Sequence, residues 1–292
     1  MDKLELKALG KINLGLDILG KRSNGYHDVR MVMQTVNLFD EVTLEKKEEE
    51  GIEIETNLSF LPVDGSNIAY KAAKLLMDEF DIKGGIKITL EKHIPVAAGM
   101  AGGSSNAAAV LYGMNQMYEL GLSQEALKER GVKLGADVPY CIMRGTVLAE
   151  GIGEILTPLP PLPKCYVLIA KPPLSASTKE IYEKYDSKTD IVHPDIDAII
   201  DGLQKDDIKK VAENMGNVLE EVMIPDFPVL DEIKKEMMDN GALGSMMSGS
   251  GPTVFGIFDD RKLAKAAAAK IQEKGFAKQV YVTTAYNVRR EY

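Results

Sequence analysis

The start of the chain alternates apolar and polar positions in short runs, the period of a half-buried strand. Leu4–Leu9, Asn13–Leu19, Val29–Val36, Glu41–Glu45 and Ile52–Thr56 carry this pattern, with Lys46–Glu50 as a charged turn. The period then changes. Across Asn67–Phe80 the apolar residues Ile68, Ala72, Leu75 and Leu76 recur at helical spacing, Ser66 or Asn67 stands as the cap, and Asp81 closes the segment. Ile86–Leu90 returns to a strand, and a loop of small residues, Pro95 to Asn106, runs from it into the helix-favouring stretch Ala107–Met114. A further helix near Gln124–Lys133 leads to Gly135-Ala136-Asp137-Val138-Pro139, after which Cys141–Leu148 and Glu154–Thr157 have strand patterning.

Pro158 to Pro163 places four prolines in six residues, which forbids a helix and favours an extended spacer. It is the best linker in the chain. Beyond it, Tyr166–Ala170 reads as a strand, Thr178–Tyr185 as a helix, and Asp195–Asn240 as two or three helices. Leu243–Met247 and Thr253–Phe258 are strands flanking Ser248-Gly249-Ser250-Gly251-Pro252, followed by helix Lys262–Lys274 and strand Gln279–Thr283. This second unit suits an α+β sandwich, and two glycine-rich turns in different domains predict a cleft between them.

Composition narrows the class. With 292 residues, 45% hydrophobic and 27% charged, the chain can bury real cores in one large or two medium domains. No run approaches the ~18 apolar residues of a membrane span. The opening Met1-Asp2-Lys3-Leu4-Glu5 carries acids where a signal peptide is basic and then apolar, so a cytoplasmic protein with no membrane partner is expected. Cys141 and Cys165 lie in apolar runs and are expected as buried, reduced thiols. A net charge of -9 argues against a nucleic-acid partner. It leaves room for a small anion, because a local set of amides and a lysine can outweigh the global charge.

The loop Pro95-Val96-Ala97-Ala98-Gly99-Met100-Ala101-Gly102-Gly103-Ser104-Ser105 supplies such a set. Backbone amides without bulky side chains, feeding the positive end of a helix, cradle phosphate. A Walker A loop is excluded, since no Lys separates the glycines from Ser104 and Ser105, and Gly99, Gly102 and Gly103 lack the dinucleotide spacing. A protein-kinase glycine loop lies in a hairpin rather than before a helix. An ordinary turn capped by Ser104 is the plain alternative.

Four segments in order decide between these readings. Gly10-Lys11-Ile12-Asn13-Leu14 with Asn24-Gly25-Tyr26-His27, the Pro95–Ser105 loop, Gly135-Ala136-Asp137-Val138-Pro139, and Met247 to Thr253 resemble the signatures of the GHMP kinases over nearly the whole chain. The Lys-Ile-Asn-Leu and Gly-Tyr-His pair is similar to the branch acting on a diphosphocytidyl substrate. The resemblance implies an α+β, two-domain fold: an N-terminal ribosomal-protein-S5-domain-2-like domain over 1–160 and a C-terminal ferredoxin-like α/β sandwich over 161–292, with the active site in the cleft between them. It also implies ATP-dependent phosphorylation of the 2-hydroxyl of 4-diphosphocytidyl-2-C-methyl-D-erythritol, in the methylerythritol phosphate route to isoprenoid precursors. A mevalonate or homoserine type of acceptor, or a non-catalytic relative, is the alternative.

By the same resemblance Asp137 takes the hydroxyl proton and Lys11 offsets charge developing on the phosphoryl oxygens, which is what transfer to an alcohol requires. Tyr26 and His27 grip the cytosine, and Tyr182, four residues after Thr178, is the second aromatic against it. Asn13 and Thr178 lie near the methylerythritol end. Asn67 and the loop Pro95, Val96, Ala97, Ala98, Gly99, Met100, Ala101, Gly102, Gly103, Ser104, Ser105 receive ATP. No metal ligand is assigned; Mg2+ is inferred from ATP alone. His93 and His193 are structural or surface residues. Four positions depart from the pattern: Ala97 and Ala101 stand where glycine is frequent, Gly10 where Ala is usual and Asn106 where Asp is common. Alanine is cheap at 97 and 101 only if φ stays negative there.

Overall fold

The computed structural model describes residues 1–288. It opens with two long strands, β1 (Lys3–Lys21) and β2 (His27–Lys47), then β3 (Gly51–Thr56), α1 (Ile68–Glu79) and β4 (Gly85–Glu91). Helices α2 (Gly102–Met117), α3 (Gln124–Val132) and α4 (Val138–Met143) follow, then β5 (Thr146–Glu150), β6 (Ile155–Pro158), β7 (Tyr166–Lys171) and α5 (Thr178–Tyr185). The remainder is α6 (Ile196–Gln204), α7 (Ile208–Glu213), the short β8 (Gly216–Asn217), α8 (Glu220–Asp226), α9 (Val229–Asp239), β9 (Gly244–Met247), β10 (Val254–Phe258), α10 (Arg261–Glu273) and β11 (Gln279–Thr284).

Three sequence expectations change. Each pair of early strands is one strand, because no breaker interrupts Gly10 or Asn37–Asp40; a Cβ on Gly10 would stand 3.3 Å from the Leu38 carbonyl, so glycine permits the close pass. Lys46 and Lys47 therefore close β2 instead of starting a turn. Cys141–Met143 is helical, not extended, since the Asp137 carbonyl accepts the Cys141 amide at 3.0 Å. Left-handed Arg144 (φ 60°) and Gly145 (φ 82°) then turn the chain into β5. Asp195–Asn240 holds four short helices; Asp195 and Asp207 cap two of them with side-chain oxygens.

The chain forms two compact units. The first comprises Met1–Gly10, Leu38–Val96 and Ala101–Met143. Its sheet runs β3 parallel to β4 (Ile52 opposite Ile86, Ile54 opposite Ile88) and β4 antiparallel to the far half of β2 (Leu44 opposite Ile88). α1 packs on α2, and Gly113 of α2 lets Leu4, Leu6 and Leu44 close against the helix. The apolar run Ala107–Leu111 is buried almost completely, so this helix hides most of its circumference.

The second unit comprises Lys11–Asn37, Ala97–Met100 and the chain from Arg144 onward. An antiparallel sheet, β11-β7-β10-β9, carries α9 and α10, and its central strands β7 and β10 are buried on both faces. The near half of β2 pairs with β5, and β1 meets β8 in parallel at Gly15 and Leu16. Pro158–Pro163 carries no helix, as its prolines require, and it is tied down: Leu162 is buried and its amide donates to Thr146 Oγ1 at 3.1 Å.

Candidate active site

In the first unit, helix α2 starts at Gly102, earlier than the alanine run predicts. Ala101 is its N-cap residue in left-handed conformation (φ 54°), no side chain caps the turn, and the first intrahelical bond is Ser105 N to Ala101 O at 2.8 Å. Gly102, Gly103 and Ser104 thus present the uncapped amides of a helix N-terminus. Ser104 sits inside the helix, so it is no cap. Its hydroxyl would lie 4.0 Å from a Cβ on Gly135, two residues before half-buried Asp137, while the Ser105 hydroxyl donates to the Leu9 carbonyl at 2.7 Å. Asn67 is the N-cap of α1: its side chain accepts from Ala69 N and donates to Pro62 O.

A buried polar cluster supports that turn. Lys92 pairs with Asp40 and donates to Asn106 Oδ1 at 2.7 Å, Asn106 donates back to Asp40 at 2.9 Å, and the other Asp40 oxygen accepts the amides of His93 and Ile94, each at 2.8 Å. Burial holds the Lys92 ammonium below the ordinary lysine range, against the opposing pull of Asp40. A Cβ on Gly102 would come within 3.4 Å of Lys92 Nζ, so the cluster lies directly beneath the cradle. Sequence reasoning missed it; the signal is a charged residue set into each of two otherwise apolar strand frames.

The condition set for the alanines fails. Ala97 (φ 49°), Gly99 (φ 72°) and Ala101 (φ 54°) are all left-handed, so two alanines sit where glycine costs nothing. The middle of the loop, Ala97–Met100, is bonded within the second unit. Lys11 N donates to Met100 O at 3.1 Å, and Ser248 Oγ donates to Gly99 O at 3.0 Å. The two glycine turns, expected in different domains, therefore meet inside one unit. A Cβ on Gly99 would overlap the Ser248 carbonyl.

Lys11 lies at that meeting point. It is 5% exposed, its ammonium donates to Asn13 Oδ1 at 2.7 Å, and a Cβ on Gly249 would fall 3.3 Å from Nζ. It meets no carboxylate of its own unit among the described residues. Asn13 also donates to Met31 Sδ at 3.4 Å. Asn217, another residue the sequence did not flag, donates to the carbonyls of Met247 and Gly249 at 2.9 and 2.8 Å and so holds the second turn to β1.

The third constellation is also in the second unit. Gly25 (φ 87°) makes a tight turn closed by Arg22 N to Tyr26 O at 2.7 Å, leaving Tyr26 59% exposed. His27 is buried beside it, its ring 4.8 Å from that of Tyr182 and tilted 46°. Thr178 and Tyr182 share one face of α5, and the Thr178 hydroxyl is 2.8 Å from Ser250 Oγ. Asp186, four residues further, bonds His27 Nε2 at 2.6 Å. A cleft of about 340 Å³ adjoins them, lined among others by Ile18, Lys21, Tyr185 and His193, and His193 pairs with Asp17 at 2.6 Å.

Residues 67–145 match the GHMP kinases N terminal domain, and residues 181–277 the GHMP kinases C terminal domain. The 4-diphosphocytidyl-2-C-methyl-D-erythritol kinase of Lachnospira eligens is 55% identical over 98% of this chain and 99% of its own length. The chain belongs to the GHMP kinases. A second relative of the same name, from Lachnoclostridium phytofermentans, is 52% identical over 97% of both chains. Among solved structures, a 4-(cytidine 5'-diphospho)-2C-methyl-D-erythritol kinase superposes with TM-score 0.82 at 30% identity, covering 98% of this chain and 100% of that one. A homoserine kinase from Cytophaga hutchinsonii (TM-score 0.77, 22% identity, 98% and 95% covered) shares the fold.

Both cysteines of this GHMP kinase are buried and outside any disulfide among the described residues, and burial pushes the Cys165 thiol up to about 12. Among its described residues no helix is long and apolar enough to cross a membrane, and no three His, Cys, Asp or Glu side chains gather as a metal cage. Mg2+ brought with ATP would need no such cage, since one or two protein oxygens suffice to hold it beside phosphate. The Ser104 hydroxyl and the Asp137 carboxylate are hard oxygen donors of that kind.

Proposed function

We propose that this chain transfers the γ-phosphoryl group of ATP to the 2-hydroxyl of 4-diphosphocytidyl-2-C-methyl-D-erythritol, giving the 2-phosphate and ADP in the methylerythritol phosphate route. Its acceptor is then a small molecule carrying cytidine diphosphate, not a nucleic acid, and its place is the cytoplasm. The observation that carries the reading is Lys11: among the described residues of its unit this buried side chain bonds an amide oxygen and no carboxylate, beside two glycine turns, where an arriving anion would find a partner. Relatives above 50% identity that bear this activity's name support the choice of acceptor.

In this reading the amides of Gly102, Gly103 and Ser104 hold phosphate oxygens, with Asn67 and Pro95 to Ser105 forming the rest of the ATP site. Mg2+, when bound, neutralises phosphate charge. The carboxylate of Asp137 accepts the proton of the attacking hydroxyl. Lys11, aimed by Asn13, faces the charge that builds on the transferring group. Tyr26, His27 and Tyr182 take the cytosine, and Asn13 and Thr178 the methylerythritol hydroxyls. A mevalonate or homoserine acceptor would leave this aromatic cluster without a ligand.

An ADP-release assay with the cytidine substrate, mevalonate and homoserine tests the acceptor. Turnover only with the first is expected. Asp137→Asn keeps the shape without the basic oxygen, so kcat falls by about two to four powers of ten while ATP still binds. Tyr26→Ala raises KM for the cytidine substrate roughly five- to a hundredfold. More than half of wild-type kcat in Asp137→Asn, or equal use of mevalonate, refutes the corresponding assignment.

A further inference from the structure

Asp186 ends α5 and receives one hydrogen bond on each oxygen, from His27 Nε2 at 2.6 Å and from Lys21 Nζ at 2.6 Å. Thr178, Tyr182 and Asp186 follow at four-residue steps, so one helix face carries the hydroxyl near the second glycine turn, the ring against His27 and the carboxylate behind it. Burial works to raise the Asp186 carboxyl, but the hydrogen bonds from Lys21 and His27 outweigh it and hold it below the usual carboxylate range. Near neutral pH this group accepts and does not donate.

A neutral imidazole has one N–H. Opposite an acceptor-only carboxylate that proton must sit on Nε2, which leaves Nδ1 as a lone-pair acceptor. Lys21 already balances the carboxylate, so the pair does not require an imidazolium. The Tyr182 ring 4.8 Å away and the burial of His27 restrict rotation of the imidazole. Cytosine presents an amino donor at C4, where uracil presents a carbonyl oxygen. An acceptor at Nδ1 complements the first and repels the second.

We propose that Asp186 is a positioning residue that sets base specificity: by holding the His27 proton on Nε2, it makes the pocket choose a cytidine over a uridine diphosphate. The inference rests on reading Tyr26, His27 and Tyr182 as the base site.

Two measurements test it on the full chain. Nitrogen-15 NMR of labelled histidine reports which His27 nitrogen is protonated; the expected answer is Nε2 in the wild type, and a proton on Nδ1 overturns the proposal. Titration with cytidine 5'-diphosphate and uridine 5'-diphosphate should favour the former about ten- to a hundredfold. In Asp186→Asn, whose amide can turn a donor toward His27, that ratio should collapse to within about threefold and the Nε2 preference should vanish. An unchanged ratio in Asp186→Asn refutes the role of Asp186 and leaves the base site standing, and so does a wild type that binds both nucleotides equally. A wild type that binds neither sinks the base site itself. If Asp186→Asn does not fold, the wild-type tautomer and nucleotide ratio decide.

Discussion

Lys11 and Lys92 are both buried lysines, and they differ in what surrounds them. Lys92 has Asp40, and the cluster satisfies every polar atom it brings inside. Among the described residues Lys11 bonds one amide oxygen and lies beside the Gly249 turn. Asp40→Ala would strand the Lys92 charge and remove the acceptor for two amides, so a loss of about 3–5 kcal/mol in urea unfolding is expected. A loss under about 1 kcal/mol would show that the cluster is not holding the strand ends to α2. Replacing the pair together, Asp40→Asn with Lys92→Met, should recover part of that loss, since no unpaired charge remains.

At the scale of the element, the glycine loop is held by left-handed residues of two kinds. Gly99 is needed twice, for its φ of 72° and because any Cβ would meet the Ser248 carbonyl. Ala97 and Ala101 carry strain that glycine would release, at roughly 1–2 kcal/mol per left-handed residue. Glycine there also loosens the unfolded chain, which offsets about 0.4–1 kcal/mol of the gain. Ala101→Gly should therefore raise stability by roughly 0–1.6 kcal/mol. Gly99→Ala should cost more than about 2 kcal/mol, since backbone must move as well. Thermal unfolding of both variants checks the contrast, and equal shifts would contradict the packing against Ser248.

Over the whole molecule, acids outnumber bases, and many are paired. Hydrogen bonds from Arg22, Arg30, and Lys205 with Lys210 lower the carboxyls of Asp28, Asp197 and Asp201; that from Lys274, joined by Asn240, lowers Glu236. Folded values below the unfolded ones mean that this stabilisation is complete above about pH 4, the ordinary carboxylate value, and disappears as pH falls through the depressed folded values. Urea midpoints should hold from pH 7 to about 5 and drop steeply toward pH 3, less so in high salt because most of these pairs are exposed. A flat profile would mean the pairs contribute nothing.

What the sequence determined by itself was local. Periodicity gave α1, α5, α10 and the strands of the second sheet nearly to the residue, because each is written in contiguous burial. The ordered motifs singled out Lys11, Tyr26, His27, the glycine loop and Asp137 as candidates, since phosphate and base binding need particular residue types at short spacings. Tertiary structure alone decided the rest. Whether Gly10 breaks a strand depends on what passes beside it, here the Leu38 carbonyl. The sign of φ at Ala97 and Ala101 follows from bonds that Lys11 and Ser248 make to the loop. Asp40 with Lys92, Asn217 with the second turn, and Asp186 with His27 join residues far apart in the chain. Their pairing is invisible locally, because a buried polar group is legible only when the partner that satisfies it is in view.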